Sequence, residues 1–228
     1  MENLVRVFST YALKGAVARL AGRYQAAIGT TIEAEFAPTL ALLKRLRQGE
    51  AADVVILTRE GLDEMLAEGV VAVPSAVDLA RSYVGIAVKA GAPHPDIATE
   101  SALRETLLAA HSVAYSKLGA SGIYFAKLIE RLGIAAEINA KATVTSGFTA
   151  EKLIGGEADL AVQQISELKL VDGVEILGPI PSTLQTPAVF SAGRMAASRR
   201  IDPSDRLLKY LASPEMLPVL RECGLEQP

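Results

Sequence analysis

The residues Val113–Gly133, VAYSKLGASGIYFAKLIERLG, decide how the rest of this sequence is interpreted. A short apolar run ends at Ser116, small residues follow from Gly119 to Gly122, and apolar residues then recur at helical spacing. The stretch therefore predicts a strand, a loop and a helix. A helix that begins in such a loop presents unpaired N–H groups and the positive end of its dipole, which favour a bound anion. By itself, the stretch is also explained by Ser121 acting simply as an N-cap, with Gly119 and Gly122 as turn residues.

The same order of strand, small-residue break and helix occurs near the N-terminus. An apolar run ends before Ser9, and a second strand leads to a break at Pro38, with Thr39 in the position of a helix N-cap. A continuous apolar run over 52–58 is typical of a parallel strand buried on both faces. These alternations predict an α/β lobe with a mostly parallel sheet flanked by helices. The predicted strands cover 4–8, 31–36 and 52–58, and the predicted helices cover 13–27, 40–47 and 62–68.

The rest of the chain continues this alternation, which indicates a second lobe and a return to the first. We expect the first lobe to comprise residues 1–83, the second lobe 84–189, and the return to the first lobe 190–228. The predicted strands here cover 83–89, 113–115, 138–144, 159–163 and 188–195, and the predicted helices cover 101–110, 150–156, 203–212 and 215–223.

Composition restricts the classes of function. Half of the 228 residues are hydrophobic and 21% are charged, which suits one large or two modest globular lobes. The net charge is −3 and no basic run occurs, so we predict that the protein does not bind nucleic acid. No apolar run reaches about 18 residues, so we predict no stable membrane insertion.

Metal and cofactor chemistry has little support in the sequence. Cys223 is the single cysteine, and His94 and His111 lie apart without ligand-spaced partners, so we predict no metal site. Neither a P-loop nor a Gly-x-Gly-x-x-Gly fingerprint is present, so we predict no cofactor. A Ser-His-Asp triad is disfavoured because the chain has no Gly-x-Ser-x-Gly elbow.

The N-terminal segment bears on cellular location. Residues 1–8, MENLVRVF, enter a predicted strand almost at once and lack the basic and apolar regions of a secretory signal. The expected location is therefore the cytoplasm, or the periplasm if an export signal has been trimmed from the native protein.

Several small-residue loops lie between predicted parallel strands and helices, where open α/β sheets bind ligands. A ligand held by hydroxyls and helix N-termini, with neither metal nor cofactor, is most economically an oxyanion or a carboxylate. The sequence therefore predicts a protein that binds a small anion.

Five motifs carry a resemblance to a known family. They are Val7–Leu13 (VFSTYAL), Phe36–Thr39 (FAPT), Leu46–Ile56 (LRQGEAADVVI), Gly122–Ala126 (GIYFA) and Leu211–Gly224, which contains Ser213-Pro214-Glu215. Together they resemble the type II periplasmic binding proteins, in particular the molybdate-binding subunit of ABC transporters, over nearly the whole chain. The resemblance implies two α/β lobes joined by crossing strands, with the ligand in a cleft that closes on binding.

The resemblance also implies ligand positions and a departure from molybdate. Molybdate binders typically have a serine at the position of Ala12, two serines at Pro38 and Thr39, and a tyrosine at Gln163. Each unmatched buried polar contact would cost about 1 to 3 kcal/mol, so we expect a different and larger anion. The family's ligand positions fall near Ala12, Thr39, Ser121, Gly147 or Phe148, and Gln163.

Further contacts to such an anion are expected from the first loop and from the second lobe. Lys14 and Lys117 are candidates to meet a carboxylate, and both are also consistent with exposed surface lysines. Tyr11 is also consistent with core packing, and Gln163 with a hydrogen-bonded core amide. The predicted ligand-binding residues are Ser9, Thr10, Tyr11, Ala12, Lys14, Thr39, Ser116, Lys117, Ser121, Gly122, Phe148 and Gln163.

The leading hypothesis is capture of a small anion, an oxyanion or an organic carboxylate, for ABC-type uptake with an ABC permease as partner. The resemblance brings an alternative from another class, because the isomerase that interconverts cis- and trans-aconitate is similar to this fold. That alternative needs proton transfer in a closed cleft, with Ser121, Lys117 or Tyr11 as candidate base. A third hypothesis is a cytoplasmic sensor, although no DNA-binding segment is attached.

Overall fold

The computed structural model describes residues 4–228. The chain forms two α/β units and passes from one to the other after Ser82 and again after Pro187. Each unit is built on its own five-stranded sheet. No helix in the described range is long and apolar enough to cross a membrane.

The elements alternate along the chain much as the sequence predicts. The strands are β1 Leu4–Ser9, β2 Thr31–Phe36, β3 Val54–Thr58, β4 Val77–Ser82, β5 Val84–Lys89, β6 Val113–Tyr115, β7 Ala142–Val144, β8 Leu160–Gln164, β9 Val174–Pro179 and β10 Ala188–Arg194. The helices are α1 Lys14–Ile28, α2 Thr39–Arg47, α3 Arg59–Ala67, α4 Glu100–Ala109, α5 Ala120–Arg131, α6 Ala135–Ala140, α7 Ala150–Ile154, α8 Ile165–Leu168, α9 Ile201–Leu211 and α10 Leu217–Glu222.

The first sheet has the strand order β2-β1-β3-β10-β4. β1 pairs in parallel with β2 and β3, whereas β10 runs antiparallel to β3 and β4. Val54 and Ile56 of β3 belong to a core with Tyr24 of α1, and Val55 and Leu57 belong to a core on the other face. This burial on both faces explains the continuous apolar run of β3.

The second sheet repeats this plan with the order β7-β6-β8-β5-β9. β6 pairs in parallel with β7 and β8, and β5 runs antiparallel to β8 and β9. Tyr115 packs edge to face with Phe125 of α5 at 5.2 Å between ring centroids. On the other face, Ala87, Ala114 and Ala161 form a core with Leu153. Because β6, β7 and β8 run in parallel, their carboxyl ends lie at the same edge of the second sheet.

Asp53, part of the Leu46–Ile56 motif, has a structural role at the opposite edge of the first sheet. Its carboxylate accepts hydrogen bonds from the Arg6 N–H at 2.9 Å and from the Ser198 hydroxyl at 2.7 Å. Its backbone N–H donates to the Arg6 carbonyl, and its backbone carbonyl accepts the Met195 N–H. Asp53 thus joins the amino end of β3 to β1 and to the residues that follow β10.

Helix α5 begins in close contact with the end of β6, and this contact requires glycine. A β-carbon on Gly122 would lie 1.3 Å from the carbonyl oxygen of Ser116, closer than any nonbonded contact allows. A β-carbon on Gly119 would meet only the Ser116 hydroxyl, at an ordinary 3.7 Å. The position of the first turn of α5 therefore depends on the missing side chain at Gly122.

The structure differs from the sequence predictions in several details. The strand predicted over 138–144 begins too early, because residues 138–140 belong to α6, an Ala-rich segment with good helix propensity, and only Ala142–Val144 is extended. The strand β4 was not predicted because Asp78 and Arg81 interrupt its apolar pattern. These two side chains instead bond Ser191 and the carbonyl of Gln227, which are distant in sequence. The one-turn helix α8 was also not predicted.

We predict that Gly122→Ala destabilises the second unit by about 3 kcal/mol or more, because the backbone of Ser116 cannot yield to a β-carbon. Urea unfolding followed by circular dichroism measures the loss. Gly119→Ala is the matched control, and it should change stability by less than about 1 kcal/mol. Equal stability of the two variants would contradict the close approach of α5 to β6.

Candidate functional site

In the first unit, the carboxyl ends of β1, β2 and β3 place several predicted residues together. Ser9 is in register with Phe36 of β2 and Ile56 of β3. The Thr10 N–H donates to the Ile56 carbonyl at 3.0 Å, and the Ala37 N–H donates to the Ser9 carbonyl at 3.1 Å. The loops after β1 and β2 are therefore neighbours at one edge of the sheet.

The hydroxyl groups at this edge differ in their bonding. The buried Ser9 hydroxyl donates to the Thr10 carbonyl at 3.0 Å. The Thr10 Oγ1 atom is buried and has no hydrogen-bond partner among the described residues. Thr39 is buried in the first turn of α2, and the N-cap of that helix is Pro38, so the prediction of Thr39 as N-cap is wrong. The donor best placed for an additional partner in this loop is Thr10.

The remaining predicted residues of the first unit lie beside this loop. Tyr11 and Ala12 form a 3₁₀ turn that leads directly into α1, and Ala12 is buried in the core. Lys14 is the first residue of α1, with its Nζ 6.0 Å from the centroid of the Phe36 ring. The N-terminus of a 15-residue helix and an ammonium group thus occupy the same edge, and both favour a bound anion.

In the second unit, Ser116 organises the loop between β6 and α5. Its buried hydroxyl accepts the N–H groups of Leu118 at 3.2 Å and Gly119 at 3.3 Å. Gly119 is the N-cap, so Ser121 is not a cap but a buried residue within the first turn of α5. The first N–H groups of α5 have no acceptor within the helix. Lys117 is exposed in the same loop.

The loop after β7 adjoins this site and carries Phe148. The Thr145 N–H donates to the carbonyl of Tyr115 at the end of β6, at 3.3 Å. The Gly147 N–H donates to the Thr145 hydroxyl at 3.1 Å, which tightens the loop. Phe148 itself is half-buried. Residues 145–149 therefore share the carboxyl edge of the second sheet with Ser116 and Ser121.

Gln163, at the end of β8, uses both ends of its side-chain amide within the protein. Its Oε1 accepts the Thr149 N–H at 2.8 Å and the Thr149 hydroxyl at 2.9 Å. Its Nε2 donates to the Gly147 carbonyl at 3.4 Å and to the Glu167 carboxyl group. All four hydrogen-bonding positions of the amide are thus occupied. The structure supports the interpretation of Gln163 as a hydrogen-bonded core amide that holds the 145–149 loop.

Glu167 is the one buried acid at this edge that sequence reasoning missed. It lies in α8, with 9% of its surface exposed, and its carboxyl group contacts Gln163. Burial raises the pKa of Glu167 from its ordinary 4.5 to about 8, and the Gln163 hydrogen bond opposes this increase only in part. In the sequence, Glu167 is an acid four residues after Gln163, which lies near the end of a predicted buried strand. That spacing by itself does not predict that the acid is buried.

The structure brings the predicted residues together in two sets, one in each unit. The first set is Ser9, Thr10, Tyr11, Ala12, Lys14 and Thr39, and the second is Ser116, Lys117, Ser121, Gly122, Phe148 and Gln163. Within residues 4–228, no group of three or more His, Cys, Asp or Glu side chains is arranged to hold a metal ion.

A separate cavity of about 690 Å³ lies in the second unit, away from these loops. It is lined by Val88, Ala109 and Leu160, among other residues at the opposite edge of the sheet. Its walls are mainly apolar, so its chemistry does not match that of the anion-favouring loops.

We predict that the protein becomes less stable as the pH rises from about 4.5 to about 8. Over this range the folded protein keeps the Glu167 proton that the unfolded chain has lost, so folding takes up a proton. The contribution is at most about 1.4 kcal/mol per pH unit. Urea unfolding at pH 5, 6, 7 and 8 measures the slope.

Two variants test this assignment. Glu167→Gln should remove the contribution of this residue and flatten the slope. Glu151→Gln changes an exposed acid in the same unit and should leave the slope as it is in the wild type. A slope unchanged by Glu167→Gln would show that Glu167 titrates near its ordinary pKa.

Comparisons with known proteins agree with this architecture. The family model described as bacterial extracellular solute-binding protein matches residues 5–226. A Pseudomonas protein named aconitate isomerase is 35% identical over 227 residues, covering 96% of this chain and 86% of the relative. The sequence match thus extends over nearly the entire length of the chain.

Solved structures confirm the fold that the five motifs indicate. The periplasmic molybdate-binding protein of Azotobacter vinelandii aligns with a TM-score of 0.84 at 14% identity, over 98% of this chain and 99% of that one. The sulfate-binding protein SubI of Mycobacterium tuberculosis H37Rv aligns with a TM-score of 0.81 at 12% identity, over 99% and 87% of the two chains. The two-lobe architecture and the family match together show that this chain belongs to the bacterial extracellular solute-binding protein family.

Proposed function

We propose that the protein binds a small polycarboxylate anion, with loops at the carboxyl edge of each sheet as the candidate binding elements. The observation that carries this proposal is that each unit combines, at one edge, a helix N-terminus, buried hydroxyl groups and a lysine. These are the features of Ser9–Lys14 in the first unit and of Ser116–Ser121 in the second. Helix N-termini and ammonium groups both favour negative charge.

A carboxylate ligand fits these loops better than a tetrahedral oxyanion does. Ala12 and Pro38 offer no side-chain donor where the resemblance to molybdate binders implies serines. The Gln163 amide, at the position of their tyrosine, is already engaged by Gly147, Thr149 and Glu167. Since a small oxyanion needs a dense set of donors, a larger anion with separated charges is the better match.

A cationic group in each of the two loops suits a carboxylate ligand. Lys14 begins α1 in the first unit, and Lys117 precedes α5 in the second. A lysine acts as a point charge that does not require bidentate geometry, so it can pair with a carboxylate in more than one orientation.

A second candidate function is isomerisation of the bound acid. The 35% identity to the Pseudomonas aconitate isomerase, over 96% of this chain, specifically favours it. Such a reaction removes a proton from a methylene carbon, shifts the electron pair to move the double bond, and returns a proton to the former vinyl carbon. Ser121, Lys117 and Tyr11 remain the candidate bases for the first step.

Delivery of the bound anion to an ABC permease is the role that membership in a solute-binding family suggests. This role requires export, so the periplasm is the location that we propose for a transport function. The cytoplasm is the location that we propose for an isomerase.

A thermal-shift screen tests the binding proposal. We expect cis-aconitate, trans-aconitate or citrate to stabilise the protein by about 2.7 kcal/mol at 100 times the dissociation constant. Molybdate and sulfate should stabilise it much less. Stronger stabilisation by molybdate than by every polycarboxylate would overturn the choice of ligand.

A substitution pair tests the site itself. Ser121→Ala should weaken binding of the stabilising acid about tenfold, which is the loss of roughly one buried hydrogen bond. Ser182→Ala, an exposed serine in the same unit, is the control and should bind like the wild type. Equal calorimetric affinities for both variants would remove the start of α5 from the site.

Incubation of the protein with cis-aconitate in D₂O separates binding from turnover. An isomerase should form trans-aconitate and introduce deuterium at carbon, as measured by proton NMR. A binding protein for uptake should leave the acid unchanged at stoichiometric protein.

A further inference from the structure

The buried carboxyl group of Glu167 lies next to the predicted ligand loop but has no role in the function proposed above. It is in α8, which immediately follows β8, and its contact in the site is the Nε2 atom of Gln163. Buried acids are rare unless they are paired with a cation or bound to hydrogen-bond donors. No cation contributes to the pKa of Glu167, so this acid is held by burial and by one amide.

The orientation of the Gln163 amide follows from its backbone partners. The Thr149 N–H can only donate, so the amide oxygen must face Thr149, as observed at 2.8 Å. The amide nitrogen must then face Glu167 and the Gly147 carbonyl. The acceptor at Glu167 therefore helps to hold the amide in the one orientation that serves the loop.

The Gln163 amide fixes the residues on both sides of Phe148. It binds the Gly147 carbonyl before Phe148 and the Thr149 N–H and hydroxyl after it. Phe148 is one of the predicted ligand contacts, and its backbone is thereby tied to the end of β8. A change at Glu167 would reach the ligand loop through this single amide.

We propose that Glu167 is a positioning residue of the anion site, which acts through Gln163 on the 145–149 loop so that its proton is required for tight anion binding. This inference rests on the proposed anion-binding function. An ionised Glu167 would place an uncompensated charge in a buried position, so the carboxylate would seek water and release Gln163. The added negative charge would also oppose an anionic ligand.

Other charged groups near α8 are few. The strands packed against α8 are β5, β8 and β9, and their charged side chains are Lys89 and Glu175. Both lie at the far end of these strands, where Lys89 is exposed and the half-buried Glu175 is paired with His94. Lys169 directly follows α8 and is exposed. The exposed Glu151 carboxylate would lie 4.0 Å from a β-carbon on Gly147. Glu151 is therefore the control residue for charge near the loop.

The experiment measures the affinity for trans-aconitate by calorimetry from pH 7 to pH 9, where the carboxyl groups of the acid are ionised. If only the protonated form of Glu167 binds, affinity should fall about tenfold across this range. Glu167→Gln preserves an acceptor for Gln163 without a titrating proton, so its affinity should stay nearly constant. Glu151→Gln should retain the wild-type profile. Parallel profiles for the wild type and Glu167→Gln would overturn the inference.

A second measurement needs no ligand and so separates this inference from the proposed function. The chain contains no tryptophan, so Phe148→Trp places a single indole reporter in the 145–149 loop. Its emission should shift to longer wavelength between pH 7 and pH 9 as the loop is released, and Glu167→Gln in the same background should abolish the shift. A shift with no binding of any acid would support the role of Glu167 and reject the ligand. A pH-independent emission in the presence of Glu167 would reject the role of Glu167.

Discussion

The contact between Gly122 and the carbonyl of Ser116 constrains the whole anion-favouring edge of the second unit. With no side chain at Gly122, α5 begins directly against the end of β6. The Ser116 hydroxyl can then accept the two N–H groups that precede the helix, at Leu118 and Gly119. The next N–H groups have no acceptor within the helix and add to its dipole. If α5 began farther from the end of β6, neither the compact loop nor the position of the helix N-terminus would be maintained.

Gln163 extends this organisation to the neighbouring loop. A core amide with all of its hydrogen-bonding positions occupied rigidifies the segments that it joins, because any rearrangement leaves a buried polar group unpaired. Here it joins β8, the loop around Phe148 and the one-turn helix α8. Glu167 is the partner that makes this arrangement sensitive to a proton. Gln163 therefore acts as a structural support for the loop that carries Phe148.

The fold of this protein does not by itself specify which ligand it binds. Structures that share the fold at 12 to 14% identity are named for molybdate and sulfate, so the architecture accommodates different anions. The side chains at the loops distinguish among anions, and in this chain they include the hydroxyls of Ser9, Thr10 and Ser116 and the lysines Lys14 and Lys117. We propose on this basis that the ligand is an organic carboxylate, a proposal that the name of the Pseudomonas relative supports.

The sequence by itself determined the α/β class, most strand and helix positions, and the set of loops that carry the candidate residues. These features depend on local periodicity and on small residues such as Gly119 and Gly122, which are visible in the chain. Only the tertiary structure decided the roles of Thr39, Gln163 and Glu167. Whether a polar side chain caps a helix, faces a ligand or is buried against an amide depends on partners distant in sequence, as Thr149 is from Gln163. Burial alone turns Glu167 from an ordinary surface acid into a group that titrates near pH 8, and no local pattern encodes that burial.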